Sequence, residues 1–290
     1  MNTNTLHKCI IAATMMVAAS TASAHVNYSS ARDFGTFSGT DYTKIITGQT
    51  LKGNYGWASG TDATGADSHK TRYFVFTLNQ DAWVNLNVQG ASVTTTTTFS
   101  ALSNPGFSLY KGWLTAADSH DFSDDSFAIN NARWGFNTGA DAGKKEPSAG
   151  ADHWAGSFSA LSDWSIANDT AQVSTFTYIG NAADGTTANY AAHGGSASGI
   201  NWDGNANGDV SATFHLTAGQ YAVFIGGAQY FGALNAGADP TTTYGIQATL
   251  SVMAIPEPST YALLSLGAMV LTAAYRRRGA GWSHRALQFQ

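Results

Sequence analysis

Cysteine is almost absent from this 290-residue chain: Cys9 is the only one. It lies in an N-terminal apolar leader, so the residues beyond that leader carry no thiol. Disulfides, cysteine-ligated zinc and thiol nucleophiles are thereby excluded. Glutamate is nearly as scarce, with Glu146 and Glu257 alone. A glycosidase would need two converging carboxylates, and nothing singles out such a pair among the aspartates. Charge is sparse and lopsided. Between residues 25 and 255, nine Lys or Arg stand against eighteen Asp or Glu. Nucleic-acid binding, which needs clustered basic side chains on phosphates, is disfavoured. No Gly-x-Ser-x-Gly elbow occurs. Asp67-Ser68-His69 and Asp118-Ser119-His120 put triad residue types side by side, but triad groups converge from different elements, so adjacency is not a triad. An enzyme is not expected.

What is present is concentrated at the two ends. Lys8 precedes the apolar run Cys9–Ala19, and Ser20-Thr21-Ala22-Ser23-Ala24 follows. Ala22-x-Ala24 reads as a signal-peptidase site, so residues 1–24 form a signal peptide and His25 becomes the mature N-terminus. At the other end stand Ile255-Pro256-Glu257-Pro258-Ser259-Thr260, an uncharged stretch Tyr261–Tyr275, and Arg276-Arg277-Arg278. The prolines lack an N–H and bias their neighbours to extended backbone, and Ser259 or Thr260 can cap a following helix. Fifteen helical residues reach roughly 22 Å against a hydrocarbon core of roughly 30 Å, which flanking residues and snorkelling arginines bring near spanning length. The arginines fit the positive-inside rule.

The segment Pro256-Glu257-Pro258-Ser259-Thr260-Tyr261-Ala262-Leu263-Leu264 with Arg276-Arg277-Arg278 resembles the PEP-CTERM sorting signal of Gram-negative bacteria. The resemblance covers residues 255–278, about a tenth of the chain. It implies an exosortase that recognises the motif, removes a transmembrane sorting helix and delivers the protein outside the cell. It also implies an association with exopolysaccharide and biofilm matrix. Gly279–Gln290 is a short tail beyond the point where such signals usually stop.

The residues between are those of a secreted β protein. Tyr73–Leu78 is aromatic and branched. Val84, Leu86 and Val88 alternate with asparagines, and Phe107–Tyr110 follows an Asn-Pro-Gly turn. Val210, Ala212, Phe214 and Leu216 share one face, Tyr221–Ile225 is nearly all apolar, and Ile246, Ala248, Leu250 and Val252 alternate with polar residues. The expected fold is all-β, an antiparallel jelly-roll-like sandwich over residues 25–254. The hairpin Phe214–Phe224 and the pair Phe74–Leu78 with Trp83–Val88 resemble secreted jelly-roll modules of the pre-peptidase C-terminal-like and carbohydrate-binding kinds. A loop-rich insert is expected at about 118–207. Within it, Trp154, Phe158 and Leu161 have helical spacing, and Trp164–Ile166 and Phe176–Ile179 read as strands. Thr94–Thr98 reads as an exposed loop or edge strand.

Four constellations are candidates for binding. An N-terminal His25 would offer copper its amine and ring nitrogen, with His69, His120, His153, His193 or His215 as a further ligand. Asp203, Asn205, Asn207 and Asp209, with Gly208 beside them, have the spacing of the first half of a calcium loop, although position 12 is Phe214. A polar turn accounts for the same residues. Asp118, Asp121, Asp124 and Asp125 form another acidic loop. Trp113, Trp134, Trp154, Trp164 and Trp202 would offer flat faces to sugar rings, or else fill the core. The resulting expectation is an exported surface or extracellular-matrix protein, structural or binding in role. It would be held briefly at the inner membrane, and its partners would be signal peptidase, exosortase and exopolysaccharide. A polysaccharide- or calcium-binding module and a copper protein using His25 are the alternatives.

Overall fold

The computed structural model describes residues 26, 28–58, 65–68, 70–114, 120–123, 154–155, 157–168, 173–188, 198–229, 242–255 and 258–283. The leader with Ala22 and Ala24, His25, and Pro256 and Glu257 lie outside them. The fold is all-β, as the alternating patterns require. An eight-stranded sheet runs β1 (Asp33–Phe37), β4 (Arg72–Leu78), β15 (Gly219–Gly227), β8 (Pro105–Lys111), β13 (Val173–Ala183), β12 (Trp164–Asn168), β9 (His120–Ser123) and β10 (Trp154–Ala155). A second sheet runs β14 (Asp209–Leu216), β5 (Ala82–Gly90), β16 (Thr243–Ala254), β7 (Thr98–Ala101) and β6 (Val93–Thr94), with β2 (Tyr42–Lys52) also paired to β16. Pairing is antiparallel except for β1 with β4 and β7 with β16. Thr94–Thr98 is the exposed tip of the β6–β7 hairpin.

The two sheets pack face to face. Val84, Leu86 and Val88 of β5 and Ile246, Ala248, Leu250 and Val252 of β16 meet Phe74, Phe76, Leu109, Val223 and Ile225 of the larger sheet. Period-two alternation places all of these on inner faces. The other face of the larger sheet is also buried. Tyr73, Val75, Tyr110, Phe176, Ala222 and Phe224 point away from the first core into a second one. That second core is closed by Trp57, Trp164 and Phe158, the last on β11 (Ser157–Ser159), which pairs with β3 (Gly65–Asp67). Burial on both faces explains why Tyr221–Ile225 reads as an unbroken apolar run.

Two expectations differ from this arrangement. The spacing of Trp154, Phe158 and Leu161 suggests a helix, but β10 and β11 occupy that stretch. Pairing with β3 buries Phe158 completely, and this tertiary contact outweighs a local period carried by three residues. The stretch 118–207 also contributes more than loops. It supplies β9 to β13, and β13 lies next to β8 inside the large sheet. The strands expected at 164–166 and 176–179 lie in β12 and β13.

After β16 the chain forms one helix, α1 (Pro258–Ser283). It continues through Arg276–Arg278 and into the first residues of the tail. Its side chains from Ala262 to Arg276 are all exposed. The expectation of a transmembrane helix is corrected here: no helix among the described residues is long and apolar enough to cross a membrane. Tyr261, Ser265, Gly267, Thr272 and Tyr275 dilute an apolar stretch that the arginines already cut short.

Candidate functional site

The outer face of the smaller sheet is open to solvent, and its side chains form a register grid. His215, Trp83 and Met253 stand in one row across β14, β5 and β16. Thr213, Asn85, Ser251 and Thr43 form the next row, continuing onto β2. Ser211, Asn87, Thr249 and Ile45 follow, and then Asp209, Gln89 and Gln247. These positions alternate with the inward Val, Leu, Ile and Ala of the same strands, so the pleat that builds the core also builds the grid. The grid contains no lysine or arginine, and Asp209 is its one acid.

The polar side chains of the grid hold one another. Asn85 Nδ2 donates to Thr213 Oγ1 at 3.0 Å and lies 3.4 Å from the carbonyl of Ala212. Asn87 Nδ2 donates to Asp209 Oδ1. The hydroxyls of Thr43 and Ser251 are 3.0 Å apart. These bonds tie up the amide N–H groups of Asn85 and Asn87 and fix the planes of their side chains. Trp83 is the large aromatic of the face and is 47% exposed. Its ring centroid is 5.0 Å from that of His215, with the planes inclined at 50°. Trp83 was not among the tryptophans singled out as sugar platforms, although its alternation with Val84 and Leu86 already placed it on the polar side.

The tryptophans that were singled out go elsewhere. Trp164 is buried and stacked on Phe176, with centroids 4.6 Å apart. Trp202 is half-buried against the second core. Trp113 is half-buried and stacks on Tyr28. Trp134 and the side chain of Trp154 lie outside the described residues.

The loop proposed for calcium spends its oxygens on backbone N–H groups. Asp203 Oδ1 accepts from Asn205 N at 2.9 Å and from Gly185 N at 3.0 Å. Asn207 Oδ1 accepts from Asp209 N at 3.0 Å. A residue the sequence did not flag organises the loop from beneath. Asp184 is 2% exposed, and its Oδ1 accepts from Asn207 N and Gly208 N at 2.9 and 3.0 Å. Its other oxygen has no partner among the described residues. Burial raises the Asp184 carboxyl above the ordinary carboxylate value, partly opposed by those N–H groups and reinforced by the nearby charge of Asp203. No three His, Cys, Asp or Glu among the described residues converge as a metal-holding group. Asp67 and Ser68 are buried near β3, whereas His69, Asp118, Ser119, Asp124, Asp125, His153 and His193 lie outside the description, as do the side chains of His120 and Asp121.

At the C-terminus β16 ends at Ala254, and α1 begins at Pro258 and carries Arg276–Arg278 before it ends at Ser283. Residues 254–278 match the model of the PEP-CTERM protein-sorting motif. The chain carries a PEP-CTERM sorting signal. This signal marks a secreted protein and is the substrate signal for exosortase processing. The match includes Pro256, Glu257, Pro258 and Arg276–Arg278, and leaves the β domain unassigned. No curated protein matches the chain. Among solved structures it is similar to CorA, a surface-associated copper-binding protein of Methylomicrobium album BG8. That likeness has 12% identity and a TM-score of 0.38, and covers 77% of this chain and 98% of CorA. It is also similar to MopE, a secreted protein of Methylococcus capsulatus, at 14% identity and a TM-score of 0.40, covering 77% of this chain and 87% of MopE.

Proposed function

We propose that this exported PEP-CTERM protein is a non-catalytic component of the extracellular matrix that holds neutral exopolysaccharide on the open face of its smaller sheet. The observation that carries the reading is Trp83. It stands half-exposed at the head of a grid of amides and hydroxyls without a lysine or arginine. An exposed indole offers a sugar ring an apolar face with a polar edge. The asparagine and glutamine carbonyls and the threonine and serine hydroxyls offer acceptors and donors to sugar hydroxyls. Because the amides are already fixed by Thr213 and Asp209, little rotamer freedom is left to lose on binding. A neutral ligand fits best, because no lysine or arginine in the grid around Trp83 would offset the desolvation of a carboxylate or sulfate.

Retention on immobilised polysaccharides tests this reading. A neutral glucan or mannan column should retard the protein, and Trp83→Ala should cut retention at least tenfold while leaving the melting temperature unchanged. Equal retention of parent and variant would remove the proposal. Retention on acidic polysaccharide alone would replace the neutral ligand with a different one.

A further inference from the structure

Asn207-Gly208 is the single Asn-Gly pair in the chain. In such a pair the side-chain carbonyl carbon and the next backbone nitrogen can close a five-membered ring, and glycine offers no Cβ to hinder the closure. Both reacting groups have partners in this loop. The Gly208 N–H, whose proton must leave, donates to Asp184 Oδ1 at 3.0 Å, within the reach of a general base. Asp184 is 2% exposed, and its Oδ2 has no hydrogen-bond partner among the described residues. Burial raises this carboxyl and so makes its carboxylate a stronger base than usual. From the other side, Asp209 N donates to Asn207 Oδ1 at 3.0 Å. That N–H polarises the side-chain carbonyl and is placed to hold an oxyanion there. Asn207 itself is exposed, so water reaches it and ammonia can leave.

We propose that Asn207 is a self-modification site, at which Asp184 acts as general base for ring closure to a succinimide. Gly208 N attacks Asn207 Cγ, and its proton passes to Asp184 Oδ1. The oxyanion formed at Asn207 Oδ1 is held by the Asp209 N–H. The Cγ–Nδ2 bond then breaks, Asp184 returns the proton to Nδ2, and ammonia leaves. Water opens the imide at either carbonyl and gives aspartate or isoaspartate. No oxidant, metal or other co-reactant is needed, and Asp184 ends as it began. Asn205 supplies the contrast. It is exposed two residues earlier, but Ala206 follows it, and the Cβ of Ala206 crowds the ring. The reaction is irreversible and needs no partner, so its product accumulates with the age of each chain. Polysaccharide binding plays no part in this chemistry.

The test incubates the full chain at neutral pH, folded and in guanidinium, and follows Asn207 by mass spectrometry of chymotryptic peptides. Cleavage after Trp202 and Phe214 isolates a peptide, 203–214, that carries both Asn205 and Asn207. Loss of ammonia marks the succinimide, and deamidated peptide marks its hydrolysis. The folded chain should convert Asn207 at least about tenfold faster than the unfolded chain, at the low end of what a positioned base supplies. Asn205 should keep its amide. Asp184→Asn keeps an acceptor for both N–H groups but removes the base, and should lower the folded rate to that of the unfolded chain. Position 184 falls in a different peptide, so its own chemistry does not interfere. Asn207→Ser should abolish the mass change, and Asn205→Ser should leave the rate at Asn207 unchanged. If the folded parent converts no faster than the unfolded one, the hydrogen bonds protect the loop and the proposal fails. That comparison decides even if Asp184→Asn does not fold. If Asp184→Asn folds and converts as fast as the parent, Asp184 is not the base and the proposal fails. The varied residues lie outside the grid on the smaller sheet, so retention on polysaccharide is read separately.

Discussion

The two sheets turn their inner faces to the same core, yet their outer faces differ in every respect that matters for function. The outer face of the larger sheet is sealed. Trp57, Phe158 and Trp164 lie over Tyr110, Phe176 and Phe224, and the Phe158 ring lies tilted against Phe224 with centroids 4.8 Å apart. Two polar groups there are used internally: Trp57 Nε1 donates to Ser108 Oγ at 2.8 Å, and Ser108 Oγ donates to the carbonyl of Ala160 at 2.6 Å. The outer face of the smaller sheet has no cover among the described residues, and its one tryptophan faces solvent. Aromatic side chains thus have opposite meanings on the two sheets. Under the cover they supply stability, and on the open face Trp83 adds little stability and is free to meet a ligand.

Substitutions on the two faces should split accordingly. Phe224→Ala removes a fully buried ring that touches Tyr73, Tyr110, Phe158, Trp164 and Phe176. It should cost about 3–5 kcal/mol in urea denaturation. Trp83→Ala should stay within about 0.5 kcal/mol of the parent. Comparable losses at the two positions would mean that the open face is covered after all.

Overpacking gives the next largest effect. A Cβ on Gly106 would lie 2.4 Å from the Trp57 ring, which is buried and hydrogen-bonded and so has no room to retreat. Gly106→Ala should therefore destabilise by about 1–3 kcal/mol. The contrast is Ser211→Ala on the open grid, which should change stability by no more than about 0.5 kcal/mol in the same denaturation series.

Alternation made most of the smaller sheet and the inner core legible in the sequence. Val84, Leu86, Val88 and Ile246 through Val252 announced both their strands and their inward faces. The second core was not legible. Tyr73, Tyr110 and Phe224 lie on strands that are apolar on both sides, so no period tells which layer each one serves. The cover is assembled from the short elements β3 and β11, far apart in sequence and too brief to show a pattern. The same blindness hid the candidate site. Five tryptophans in or beside the loop-rich stretch drew attention, while Trp83 sat in a regular strand where an aromatic is commonplace. The sorting signal was legible because its chemistry is local: two prolines, an apolar stretch and three arginines in order. The helix length needed to span a membrane is a matter of summed hydropathy, and there the polar residues among Tyr261–Tyr275 prevailed.

Asp184 extends the comparison to a buried carboxylate on the loop that leads into the open sheet. Asp184→Ala strips the acceptor from Asn207 N and Gly208 N and should cost about 1–3 kcal/mol. Asp184→Asn keeps an acceptor oxygen and removes the charge. The folded-state carboxyl titrates above its ordinary value of 3.8. Its contribution is therefore fully present below that pH and is lost as the pH rises through the folded value. The stability of Asp184→Asn relative to the parent should rise over the same interval. A difference that stays flat across a pH series of urea melts would mean the carboxyl is not desolvated.

The smallest expected effect on stability is also the most telling about the open face. Asn85 Nδ2 bonds Thr213 Oγ1 across β5 and β14 in an exposed pair. Cross-strand pairs of this kind contribute roughly 0.2–1 kcal/mol. Thr213→Val keeps the shape and the β-branch but removes the acceptor, so the fold should lose no more than about 0.5 kcal/mol. The amide of Asn85 then keeps only its longer contact with the carbonyl of Ala212, and its Oδ1 is held less firmly. If the grid is a pre-organised acceptor surface, retention on neutral polysaccharide should fall severalfold while the melting temperature barely moves, because the lost order must be supplied on binding. If the grid is only the solvated side of a sheet, both quantities will stay with the parent. A binding loss no larger than the stability loss would therefore count against a ligand on this face, even if Trp83 proved essential.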